Sequence, residues 1–170
     1  MSDTTTTAAE PIHVYLAHSG KNPGAHAVAA LGVVGDRPYV YTHVIASEVT
    51  NFHAAWESIV LALGRLNGRP GILWTTFSAI AGAEQPDERN EPYRREVQRA
   101  LAASRSVVRF IRKADAPPWM GQAQDAAAEA YAAWLAEQGG PDDRAPAGRV
   151  GAATRAQPVA ARTGERGDER

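Results

Sequence analysis

Histidine is the side chain most suited to acid–base work or metal ligation near neutral pH, and the chain has five: His13, His18, His26, His43 and His53. A helix His beside a strand-end His can form a metal-ligating or acid–base pair. None of the five has a carboxylate orienter or another His at close spacing, so they read as ordinary polar residues. Ser19 lacks a recognisable base and orienter, which argues against a hydrolytic serine. The absence of cysteine removes thiolate zinc sites, disulfides and a Cys nucleophile.

The denser chemical signal is cationic. Between residues 94 and 113, Arg94, Arg95, Arg99, Arg105, Arg109, Arg112 and Lys113 face a single acid, Glu96. Arg95 and Arg99 share a helix face, and Arg109 with the strand-end pair Arg112 and Lys113 extends it. Such a patch can contact several phosphates, with the steep salt dependence that implies. The competing reading is the solvated face of an amphipathic helix, and the acidic loop before it (Glu84, Asp87, Glu88, Glu91) weakens any groove.

These side chains must be positioned by one modest core. The 170 residues, 44% hydrophobic and 22% charged, suit a single domain, and a net charge of -1 advertises neither nucleic acid nor membrane as a partner of the whole chain. No apolar run approaches the roughly 20 residues of a membrane span, and the opening residues lack the features of a secretory leader. Cytoplasmic location is the default expectation. Residues 1–10 are polar and Thr-rich, and residues 139–170 hold six Gly, three Pro and no aromatic. Both ends are expected to be disordered, leaving a domain over residues 11–138.

Within that domain, strands are expected at residues 12–18, 27–34 and 39–45. Turn residues 19–24 separate the first two, and Gly35, Asp36, Arg37 and Pro38 join the next pair as a hairpin. The period then changes. Phe52, Trp56, Ile59, Val60 and Leu63 fall at helical spacing, with Thr50 or Asn51 as cap and Gly68 near the exit. A buried strand at 71–76, a helix near 91–104, a strand at 107–112 and, after Pro117 and Pro118, a helix over 121–138 complete the order. Right-handed crossovers put the last two strands parallel to the first, giving an α/β domain with a mixed five-stranded sheet (βββαβαβα) flanked by helices.

That order and several local phrases resemble the ribonuclease H (type 1) family, over about residues 12–137. The strand ending Leu16-Ala17-His18-Ser19 before Lys21-Asn22-Pro23-Gly24 is similar to the family's Asp-Gly-Ser strand end and Asn-Pro-Gly turn, with one residue fewer between. Thr50-Asn51-Phe52-His53-Ala54 resembles its Asn-Asn-x-x-Glu helix start. Thr75-Thr76-Phe77 resembles its Thr-Asp-Ser strand end, and Gly121-Gln122-Ala123-Gln124-Asp125, followed by alanines, is similar to the Asn-x-x-x-Asp of its last helix.

The resemblance implies a ribonuclease H-like fold whose four carboxylates would bind two Mg²⁺ ions and position water for phosphodiester cleavage. Here those positions hold Ala17, Ala54, Thr76 and Asp125, and the family's mobile His falls near Asp115. A single carboxylate cannot hold two divalent ions against their mutual repulsion. No catalytic residue, metal or other cofactor is therefore expected. A relocated set of Glu57, Asp115 and Asp125, holding one Mg or Mn ion, is the alternative: a divergent, hybrid-specific endoribonuclease.

Binding requires less than cleavage. Asn22 and Asn51 match family positions that touch an RNA/DNA hybrid, although turn formation and helix capping explain them equally well. The expectation is a catalytically degenerate module that binds RNA/DNA hybrid or structured RNA, through Asn22, Asn51, Arg95, Arg99, Arg109, Arg112 and Lys113, or serves assembly. A protein-interaction scaffold is the further alternative.

Overall fold

The computed structural model describes residues 10–85, 92–139 and 155–158. Three antiparallel strands come first: β1 (Ile12–Gly20), β2 (Gly24–Val34) and β3 (Arg37–Val49). They are followed by α1 (Asn51–Leu66), β4 (Gly71–Thr75), α2 (Pro92–Ala103), β5 (Val107–Phe110), α3 (Pro118–Glu137) and a short β6 (Arg155–Pro158). The sheet order is β5-β4-β1-β2-β3-β6, with β4 parallel to both β1 and β5. The protein is thus α/β with a mixed sheet, as its periodicity implied.

Each central strand is buried on both faces, as a sheet covered on two sides requires. Val14 and Leu16 of β1 join Ala30, Leu73 and Val108 against Trp56, Ile59 and Leu66 of α1 and Val97 and Leu101 of α2. The alternate residues Tyr15 and Ala17 join Ala29, Leu31 and Val40 against Met120, Ala123 and Ala127 of α3. The α3 face is built mainly from small side chains, which lets the helix lie close to the sheet. Ile59 is wholly buried, and truncating it to Ala would cost about 2–5 kcal/mol.

Local chemistry sets the element ends. The hydroxyl of Thr50, not the side chain of Asn51, caps α1 by accepting from the His53 amide at 3.2 Å. At the other end Asn67 adopts a left-handed conformation (φ 49°) and its N–H returns to Leu63. The β2–β3 hairpin is tighter than expected: Gly35, at φ 60°, allows a two-residue loop, and Val34 pairs with Arg37. Pro38 therefore lies inside β3, where the outer side of the strand has no need of its missing N–H. Similarly α3 starts at Pro118 rather than Gly121, because proline is well tolerated at the first turn.

The ends read as disordered, residues 1–10 and 139–170, lie outside the described residues except for Glu10, Gly139 and residues 155–158. The last of these pair antiparallel with residues 39–42 of β3. Composition speaks to burial, whereas an edge strand needs only backbone groups to pair, so β6 left no compositional trace. Among the described residues no helix is long and apolar enough to cross a membrane.

Candidate functional site

The β1–β2 turn and the start of α1 are tied together by side chains at one end of the sheet. The Asn51 backbone N–H donates to Asn22 Oδ1 at 3.0 Å. Asn51 Oδ1 lies 2.8 Å from Nε2 of His26, whose Nδ1 is 2.9 Å from the Gly24 carbonyl. His26 is fully buried, while Asn22 is exposed, so the amide group of Asn22 faces solvent from a fixed base. Gly20 makes the close packing possible: a Cβ there would lie 2.3 Å from the Ala25 carbonyl oxygen.

This band continues across the sheet. The rings of His18 and His26 are 6.0 Å apart, and His18 meets Phe77 edge-on at 5.5 Å. Burial, and secondarily the neighbouring His26, hold the His18 pKa below its ordinary value. Thr76, next to Phe77, lines a cleft of about 250 Å³ with Lys113, Gly121 and Gln124 beneath the first turns of α3. His26, His18 and Phe77 thus lie on the α1 side of this end of the sheet, and Thr76 and Lys113 on its α3 side. The polar groups here are amides, imidazoles, a hydroxyl and an ammonium.

Of the four positions singled out for carboxylates, three belong to the α3 side of the sheet. Leu16 and Thr75 are paired on β1 and β4, so Ala17 and Thr76 are the next residues along neighbouring strands. Ala17 packs against Met120 and Ala123, and Asp125 lies on the same helix, exposed. Ala54 is completely buried on α1, which packs on the other face.

The relocated set does not come together. Glu57 accepts a hydrogen bond from the Tyr93 hydroxyl at 2.6 Å and lies 3.3 Å from His53, toward α2. Burial, reinforced by that carboxylate, raises the Tyr93 pKa. Asp115 is paired with Arg112 at 2.6 Å, and Asp125 stands on the opposite side of the sheet from Glu57. Among the described residues no three His, Cys, Asp or Glu side chains gather closely enough to hold a metal. The spacing of Glu57 from Ala54 suggested a shared face, but α1 turns Glu57 to α2 instead.

The basic run is likewise divided. Arg94 stacks over Phe52 at 4.4 Å and Trp56 at 5.8 Å. Arg109 pairs with Glu84 at 2.6 Å, so part of the acidic loop neutralises part of the patch. Burial pushes the Glu84 carboxyl up, but hydrogen bonds from the Val108 and its own backbone amides, with Arg109, outweigh that and hold it low. Arg95 and Arg99 are exposed on α2, and Arg112 is exposed beside Asp115. Lys113 alone of the seven lines the cleft under α3.

Sequence reasoning passed over His26 and His18 as scattered polar residues. The signal was phase: His26, Val28, Ala30 and Gly32 alternate on one face of β2, and a His in that row is buried with its neighbours. No family model matches the chain, and no curated protein matches it.

Proposed function

We propose that this chain is a catalytically degenerate domain of the ribonuclease H-like fold that binds nucleic acid, in the first instance RNA/DNA hybrid, without cutting it. The order of strands and helices and the sense of each strand agree with that fold. The observation that carries the functional part is the cleft at the end of β4. Thr76, Lys113 and Gln124 line it, so its polar lining offers a phosphate an ammonium, a hydroxyl and an amide, with no carboxylate among the lining residues.

A two-metal centre does not fit these residues. Ala17 and Ala54 offer methyl groups and Thr76 a neutral hydroxyl, leaving Asp125 as the one carboxylate of the four. A phosphate that would otherwise be reached through a cation can here be met directly by the Lys113 ammonium and the Thr76 hydroxyl. Asn22, anchored through Asn51 and His26, adds an exposed amide along the same end of the sheet.

Fluorescence polarisation with labelled hybrid, duplex RNA and single strands at low salt tests this function. Hybrid should bind, Lys113→Ala and Asn22→Ala should weaken it, and no product should form in Mg²⁺ or Mn²⁺. Binding of none of the three, or cleavage that disappears in Asp125→Ala, would overturn it.

A further inference from the structure

At the opposite end of α1 the sheet carries a second recess with different chemistry. Register places Val14, Gly32 and Tyr39 side by side across β1, β2 and β3, and Leu16, Ala30 and Tyr41 in the following row of that face. The middle strand therefore contributes no side chain in one row and a single methyl in the next, between aliphatic and aromatic flanks. The result is a trough of about 320 Å³ whose far wall is Leu66 and Ala62 of α1. That volume lies at the lower end of the range for small-molecule sites.

Nothing in the packing demands glycine at position 32. A Cβ added there would meet only Ile12 Cγ2, at an ordinary 3.9 Å. Glycine inside a strand weakens it and commonly marks the close approach of another group. Two large apolar residues at the mouth, Val34 and Tyr39, are left 46% and 42% exposed. The rim is cationic: Arg65 lies 4.6 Å over the Tyr41 ring, and Arg69 stands beside it. Among the described residues neither arginine pairs with a carboxylate. Arg65 suits the carbonyl end of α1, but Arg69, beyond the cap, has no such explanation.

We infer that this trough binds a small amphipathic anion, a medium-chain or aromatic carboxylate. Its apolar body lies on Gly32 and Ala30, between Tyr39 and Leu66, and its head group meets the Arg65 and Arg69 guanidiniums, whose planar forks match a carboxylate. Two cations at one rim fit one head group rather than the repeated phosphates of a polynucleotide. The site is independent of the proposed nucleic-acid surface, which lies at the other end of the sheet, by the end of β4 and the starts of α1 and α3.

The test is displacement of the fluorescent sulfonate anilinonaphthalenesulfonate from the full chain by decanoate, with decanol as the uncharged control. Decanoate should displace the probe and decanol should do so at least roughly tenfold less well. Gly32→Val, which fills the floor, should abolish binding without lowering the melting temperature. The double variant Arg65→Gln/Arg69→Gln, at exposed positions, should weaken decanoate roughly tenfold while keeping decanol unchanged, and decides the matter if Gly32→Val melts early. Equal displacement by decanoate and decanol, or decanoate binding unchanged in the double variant, would overturn the inference. So would a concentration-dependent dimer that Gly32→Val dissociates, since a second copy would then be the occupant.

Discussion

His26 and Asn51 are joined at 2.8 Å across the gap between β2 and α1, with the imidazole wholly out of solvent. The β1–β2 turn, the first turn of α1 and Asn22 are therefore tied to one another through side-chain hydrogen bonds. His26→Ala should cost about 2–5 kcal/mol, since it both opens a cavity and leaves polar partners unpaired. Asn51→Ala should cost about 1–3 kcal/mol. Urea denaturation of both single variants and the double should show clear non-additivity; strictly additive costs would mean the two side chains are not coupled.

Carboxylates placed at positions 17 and 54 should destabilise the domain. Ala17 is 6% exposed and Ala54 fully buried, so Ala17→Asp and Ala54→Glu each place a charge or an unpaired carboxyl in apolar packing. Each should destabilise by several kcal/mol, about the 2–7 kcal/mol of burying an uncompensated polar group. Thermal melting of the two single variants checks this; unchanged melting would show that these positions accommodate a carboxylate.

Stability should fall on mild acidification, partly through His18. Because burial lowers its pKa from 6.5, the unfolded chain takes up a proton in the window below pH 6.5 that the folded chain refuses. Stability is then flat above that window, declines as pH falls through it, and levels off below the depressed folded value. Denaturation midpoints of the parent and His18→Gln across about pH 5–8 should show a shallower slope in the variant. Parallel slopes would remove His18 from the account.

Arg94 and Lys113 belong to the same basic run but should separate cleanly. Arg94→Ala loses its stacking on Phe52 and Trp56 and should cost about 0.5–1 kcal/mol of stability while leaving hybrid binding intact. Lys113→Ala should leave melting unchanged and reduce the salt dependence of hybrid binding by about one phosphate contact. The reverse pattern would place the nucleic acid on α2.

How far the sequence reached differs between fold and site, for a physical reason. Hydrophobic period exposes which face of an element is buried, and it placed α1 through Phe52, Trp56 and Ile59 and the mixed sheet through its strands. It carries no information about where a polar side chain turns once its element is packed. Glu57 turns to Tyr93, Arg109 to Glu84 and Arg94 to Phe52, each settled by contacts between residues distant in sequence. The trough over Gly32 was hidden for the same reason, since it depends on the register of three strands together.

The placement of β6 bears on how the chain is made. β4 lies close in sequence to the β1–β2–β3 meander whose one side it covers, but among the described residues the outer row of amides and carbonyls on β3 is met by residues 155–158, beyond α3. Among the described residues, residues 39–42 alone of the thirteen in β3 gain partners there. A nascent or truncated chain thus carries a long, unpaired strand edge during the interval when its other elements are complete, the state in which strands of separate chains most readily join.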